Sequence, residues 1–142
     1  MNVALEALVQ VREGKDFPAP RQVLNRIKPE DACRRLPEFG YSLADYVWHA
    51  DFWQRIWLAR IVGEPAPSIT EDWHRVEPHE WAATRASFLA NLDRAVELAE
   101  TTSDPQHVTR LLQIAVHDAY HIGQLVLVKR ALKQVRQDDK AG

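Results

Sequence analysis

Apolar residues recur at three- and four-residue spacing through most of this chain, and no stretch alternates with the period of two that a half-buried strand requires. The first helical stretch runs from Val3 to Arg12. Gly14 and the Pro18-Ala19-Pro20 sequence interrupt it, and a second short segment follows at Arg21 to Ile27. Lys28 to Gly40, with Pro29 and Pro37, reads as an irregular connection holding one turn near Glu30 to Leu36. Ser42-Leu-Ala-Asp45 then forms a capping-box pattern, in which the hydroxyl accepts from the amide of residue 45 and the carboxylate reaches back. A long helix is predicted from Leu43 to Val62, ended by Gly63 and Pro65, with Tyr46, His49, Phe52, Trp53 and Ile56 along one face. A loop from Gly63 to Pro78 leads to a third helix, Glu80 to Glu100, with Trp81, Phe88, Leu92 and Val96 or Ala99 facing inward. After a turn at Thr101 to Asp104, Pro105 opens a last helix through about Val135.

These elements predict an all-α four-helix bundle formed by one domain, residues 1–142. The loop of some fifteen residues reaches about 50 Å when extended, whereas a twenty-residue helix is about 30 Å long. The chain can therefore cross the whole bundle between the second and third long helices. Those two then run parallel, and the fourth, joined to the third by a tight turn, runs antiparallel to both. That order lets the second and fourth lie side by side.

Charge changes the picture little. Lys and Arg (18) nearly balance Asp and Glu (20), and neither sign forms a long block, so nothing calls for a nucleic-acid partner or an anionic membrane. The N-terminal Met-Asn-Val-Ala-Leu-Glu-Ala-Leu lacks a basic region followed by an apolar core, and no uncharged run approaches membrane-spanning length. A single cysteine, Cys33, cannot form an internal disulfide, which suits a reducing compartment and a cytoplasmic location. Arg34 and Arg35 beside it would favour a thiolate, but no motif supports a nucleophile there.

Histidine placement carries the chemistry. His117 and His121 stand four apart within Leu111–Leu125, so both rings project from one face of an apolar-periodic helix. Buried imidazoles need partners for their polar nitrogens, and a shared divalent ion would satisfy both. His49 lies on the inward stripe of the second long helix. A core histidine bonded to a neighbour is the ordinary alternative, but two independent helical positions aimed at one core favour a metal. Three neutral nitrogens suit zinc or nickel first, with iron, cobalt or manganese as further candidates, and leave positions open for water or substrate.

Other polar groups near this trio divide between roles. Asp45 is explained by its cap. Asp118 makes His117-Asp-Ala-Tyr-His121 reminiscent of a zincin helix, but the shorter carboxylate and the lack of a further ligand downstream place Asp118 on the helix flank. Gln124, one turn past His121, could bond a ligand ring or a bound water, or simply pack between helices. Tyr46 and Tyr120 could donate a proton near the ion or serve as amphipathic packing. His74, His79 and His107 fall in loops or near helix starts and are expected to be exposed.

The segment Ser42-Leu-Ala-Asp-Tyr-Val-Trp-His-Ala-Asp-Phe-Trp53, followed far downstream by His117-Asp-Ala-Tyr-His-Ile-Gly-Gln124, resembles the DinB family of metal-binding four-helix proteins, and the helix order agrees along nearly the whole chain. The resemblance implies an up-down-down-up bundle, usually a homodimer, with a divalent ion held by residues matching His49, His117 and His121. The break at Pro18 to Pro20 departs from the family's continuous first helix. Some members resemble transferases or isomerases that use small cellular thiols, others are called hydrolases, and many have no known activity. The leading expectation is an enzyme whose ion lowers the pKa of a small thiol for attack on an electrophile in a pocket lined by Trp48, Phe52, Trp53 and Trp57. Hydrolysis by activated water, helped by Gln124 or a tyrosine, is the second possibility. A non-catalytic ion that only knits helices together, or an aromatic interaction surface, is the third.

Overall fold

The computed structural model describes residues 2–142, and among them there is no strand. Six helices form in order: α1 (Val3–Glu13), α2 (Pro20–Val23), α3 (Pro29–Ala32), α4 (Leu43–Val62), α5 (Trp81–Thr101) and α6 (Pro105–Ala141), with a 3₁₀ turn at Pro78–Glu80 leading into α5. The local chemistry sets most boundaries. Asn2 caps α1 by accepting from the amide of Leu5 at 3.0 Å, and Gly14 ends it in the left-handed conformation at φ 70°. In α4 the Ser42 hydroxyl accepts from the Asp45 amide at 3.1 Å while an Asp45 oxygen accepts from the Ser42 amide at 3.0 Å, and Gly63 (φ 73°) closes the other end. Asp104 accepts from the amides of Gln106 and His107 at the start of α6.

Packing yields the predicted up-down-down-up order. The middle of α4 meets the first half of α5, where Gln54 Nε2 donates to the Phe88 carbonyl (3.1 Å) and Ser87 Oγ donates to Asp51 (2.6 Å), and farther along Arg94 reaches Glu64 just past the end of α4 (3.7 Å), so these helices are parallel. The later residues Leu58 and Ile61 share a cluster with Leu111, Ile114 and Ala115 from the start of α6, which makes α6 antiparallel to α4. At α1, Asn2 donates to the Ala99 carbonyl and Arg12 pairs with Asp93, which sets α1 antiparallel to α5. α1 therefore touches α5 and α6, and α4 touches the same two from the opposite side.

Two apolar clusters divide the bundle along its length. One joins α1 to the α4, α5 and α6 turns around Leu8, Leu92, Leu111 and Ile114; the other gathers Val23, Leu24, Ala32 and Leu36 under the opposite ends of the long helices. α1 stops at Gly14, and the short α2 and α3 cover the half of the core that it leaves. Each fully buried leucine in these clusters contributes about 2 kcal/mol.

The structure departs from the expected boundaries in three places. α6 continues six residues past Val135, because Gly142 is the first glycine or proline after Gly123. The second short segment shrinks to Pro20–Val23, and Arg26 beyond it adopts a positive φ of 56°. The turn expected near Glu30 to Leu36 forms earlier, at Pro29–Ala32, where Pro29 occupies the first helical position. One helix, α6, is long and apolar enough to cross a membrane by length and composition. Core helices pass the same test, and Leu111, Ile114, Ile122 and Leu125 of α6 are buried within the bundle.

Candidate metal centre

The middle of α4 faces the middle of α6, and there His49, His117 and His121 converge. Their ring centroids lie 5.2 Å (His49 to His117), 4.8 Å (His49 to His121) and 4.4 Å (His117 to His121) apart. One nitrogen of each lies within 4.8 Å of the others. Nε2 of His117 and Nε2 of His121 are 3.1 Å apart, close to the roughly 3.3 Å that separates neighbouring nitrogens on a tetrahedral ion with bonds of about 2.0–2.1 Å.

Neighbouring groups fix which nitrogen two of the rings present. His49 Nδ1 donates to the Asp72 carbonyl at 2.7 Å, so Nε2 is left for a ligand. His121 Nδ1 donates to Gln124 Oε1, one turn along the same helix, which likewise commits Nε2. Trp73 stacks flat on His49 at 3.8 Å, and Tyr41 stacks on the far face of that indole at 3.7 Å, which locks the ring plane. His117 Nδ1 is buried without a partner.

All three rings favour the neutral form that can coordinate a cation. Burial pushes His117 down to about 4, helped by His121 and His49. Burial also lowers His49 and His121, opposed by the Asp72 carbonyl at the first and by Gln124 at the second. Three uncharged donors that converge, two of them oriented from behind, fit a divalent ion.

The surrounding candidates sort by position. Gln124 holds His121, as one of its two expected roles requires. Tyr46 is buried, with its ring 6.3 Å from His121 and edge-on to Trp73 at 5.6 Å. Tyr120 is 66 % exposed and stands 5.1 Å from His121, at the mouth of the site. Trp53 donates its indole N–H to Asp72 Oδ2 at 3.1 Å and so helps hold the loop over His49. Phe52 stacks on Trp48 at 5.3 Å, and the Arg55 guanidinium lies about 6 Å over both rings. The expected tetrad of pocket aromatics is therefore split. A cavity of about 520 Å³ does adjoin His117, but of the four only Trp57 lines it, together with Leu112, Val116 and Tyr120 of α6.

Asp45 is engaged by the Ser42 amide, by Arg35 (2.9 Å) and by the Val76 amide (2.8 Å), which accounts for it as a cap and a loop anchor. Asp118 is a correction: it is not on the helix flank but wholly buried, and neither carboxylate oxygen has a partner. Desolvation, reinforced by Asp51, raises its pKa well above the usual carboxylate range. His74 and His79 are exposed, and His74 pairs with Glu80 at 3.1 Å; His107, expected to be exposed, is half-buried in the first turn of α6. Partial burial and the charge of Asp45 push the Cys33 thiol up to about 11, so the pull of its two arginine neighbours does not prevail, in keeping with the absence of a nucleophile motif there.

Sequence reasoning missed Asp72, Trp73 and Tyr41. They lie in loops without periodicity, and no local pattern in the sequence marked them.

Fold and site together define a helical-bundle protein whose three-histidine cluster, shared between antiparallel helices, is compatible with binding a divalent metal. Residues 19–125 match the DinB superfamily, and the chain belongs to it. Neither the curated proteins nor the solved structures contain a match to the chain.

Proposed function

We propose that this protein is a metal-dependent enzyme of the small-thiol transferase type, holding one divalent ion at His49, His117 and His121. The supporting observation is the convergence of three neutral imidazoles beside an apolar cavity that reaches His117. When bound, a Lewis-acidic ion at such a site lowers the pKa of a thiol, which at about 8.5 is otherwise mostly protonated at neutral pH. Zinc and nickel suit the donor set best, with iron, cobalt and manganese as alternatives.

The chain's own residues supply the rest. Asp72 and Gln124 keep two Nε2 atoms turned inward, and Trp73 excludes water from one side of His49. Trp57, Leu112 and Val116 offer an apolar wall to the electrophile, and Tyr120 sets a phenol at its edge. Hydrolysis is the weaker reading, since the Asp72 carboxylate lies 3.9 Å from His49 Nδ1, on the ring edge away from Nε2. We place self-association on the exposed Val116, Tyr120 and Leu127 of α6, and assign the chain to the cytoplasm.

The test titrates small thiols into protein loaded with cobalt or nickel. A thiolate charge-transfer band, absent in His117→Ala, is expected. Turnover of esters or amides without any thiol, and no spectral response to thiols, would replace this reading with hydrolysis.

A further inference from the structure

A second cavity, of about 640 Å³, lies between the α2–α3 segment and the last third of α6, away from the histidines. Residue 133, at its middle, is twelve residues past His121, which is about 18 Å along the helix axis. Its floor is apolar: Val23 and Leu132 are buried, and Ile27 and Val126 pack beside them. Its rim is basic. Lys129, Lys133, Arg136 and Lys140 follow one another at intervals of four, three and four, which places them on one face of α6 along roughly 16 Å. Arg26 lines the opposite wall from a backbone held at φ 56°, and Arg130 adds a further guanidinium.

This concentration of positive charge is local, because the whole chain carries a net charge of −2. Asp31 is the one acid in the lining, and it is taken by Arg136 at 3.3 Å. Asp139, nearby on α6, is engaged by Arg34 at 3.5 Å, and Asp138 accepts from Gln134. Lys129 donates to the carbonyls of Gln22 (3.2 Å) and Val23 (2.7 Å), tying α2 to α6 and fixing the width of the groove. Like charges three and four apart on a helix cost a few tenths of a kcal/mol per pair. No ion pair offsets them at Lys133, Lys140, Arg130 or Arg26 among the described residues.

We propose that this groove is a binding site for a small anionic amphiphile, a phosphate monoester carrying an apolar chain. The cavity has the volume of a small-molecule site. Guanidinium forks from two walls match phosphate oxygens, and the number of cations exceeds what a single carboxylate would neutralise. The apolar floor takes the chain. A walled recess of this kind suits a compact ligand better than a flat partner surface, which needs about 800 Å² per side.

The test is calorimetry with decyl phosphate, kept below its micelle concentration, on the full chain. Saturable 1:1 binding is expected, weakened at least tenfold by Lys133→Glu with Lys140→Glu, and unchanged in His49→Ala. Val126→Gln, checked for helicity, should weaken decyl phosphate binding as well. Inorganic phosphate binding as tightly as decyl phosphate would show charge alone at work, and decanol binding as tightly would show grease alone; either overturns the proposal. So would full affinity in the double charge variant, or binding to anionic phospholipid vesicles with none to the monomeric ester.

Discussion

Asp118 and Cys33 show how far a residue's surroundings can override its identity. Asp118 follows Ile114 by four and precedes His121 and Leu125 by three and seven, so its register on α6 is inward. The spacing held that information, but the poor match to a zincin helix, with its shorter carboxylate and no further ligand downstream, set Asp118 on the flank instead. In the fold, burial and the nearby charge of Asp51 hold its carboxyl well above the 3.8 of a free carboxylate. A raised folded pKa of an acid means that stability falls as pH rises above the unfolded value. Asp118→Asn, which removes the buried ionisable group, should therefore raise stability at pH 7. The gain should vanish below about pH 4, and thermal melts at the two pH values check both halves. Cys33 is displaced in the same direction. With its thiol pushed up to about 11, its alkylation by iodoacetamide should accelerate about tenfold per pH unit from 7 to 9.5 without levelling. A plateau near pH 8.5 would mean an ordinary, solvated thiol.

At the scale of elements, local chemistry wrote the boundaries that were legible. Ser42 and Asp45, Gly63, and Pro105 each act on their own backbone within four residues, so the ends of α4 and the start of α6 could be read directly. The crossover loop was different. Asp72 and Trp73 reach His49 across more than twenty residues, and no local pattern encodes that contact. The two helix-ending glycines provide a quantitative check. Both have φ near 70°, but a Cβ at Gly14 would lie 2.3 Å from the Ala19 nitrogen, while at Gly63 nothing stands within 4 Å. Gly63→Ala should cost only the left-handed penalty of about 1–2 kcal/mol. Gly14→Ala should cost clearly more, because the chain doubling back to α2 must move. Equal losses in urea unfolding would contradict this account of the α1–α2 turn.

For the molecule as a whole, the ion would link α4 to α6, helices that lie far apart in sequence but side by side in space. The convergence of His49 on the His117–His121 pair could be anticipated because the fifteen-residue crossover allows only a few helix orders, and one of them makes α4 and α6 neighbours. The broken first helix could not be resolved this way, since its path depends on how α2 and α3 fill the core that α1 leaves open. A ligand that binds only the folded state stabilises it by about 2.7 kcal/mol at a hundred times its dissociation constant. Zinc or nickel should accordingly raise the melting temperature of the purified protein by several degrees, and EDTA should reverse the shift without unfolding the bundle, whose two apolar clusters are built from buried residues other than the three histidines.

The most direct measurement is the divalent-metal stoichiometry and affinity of tag-free protein, compared with His49→Ala, His117→Ala and His121→Ala. One ion per chain is expected, with affinity reduced at least a hundredfold in each variant while all three keep native helicity. No bound ion at saturating zinc and nickel, or binding that survives loss of any one of the three imidazoles undiminished, would contradict a shared three-histidine centre.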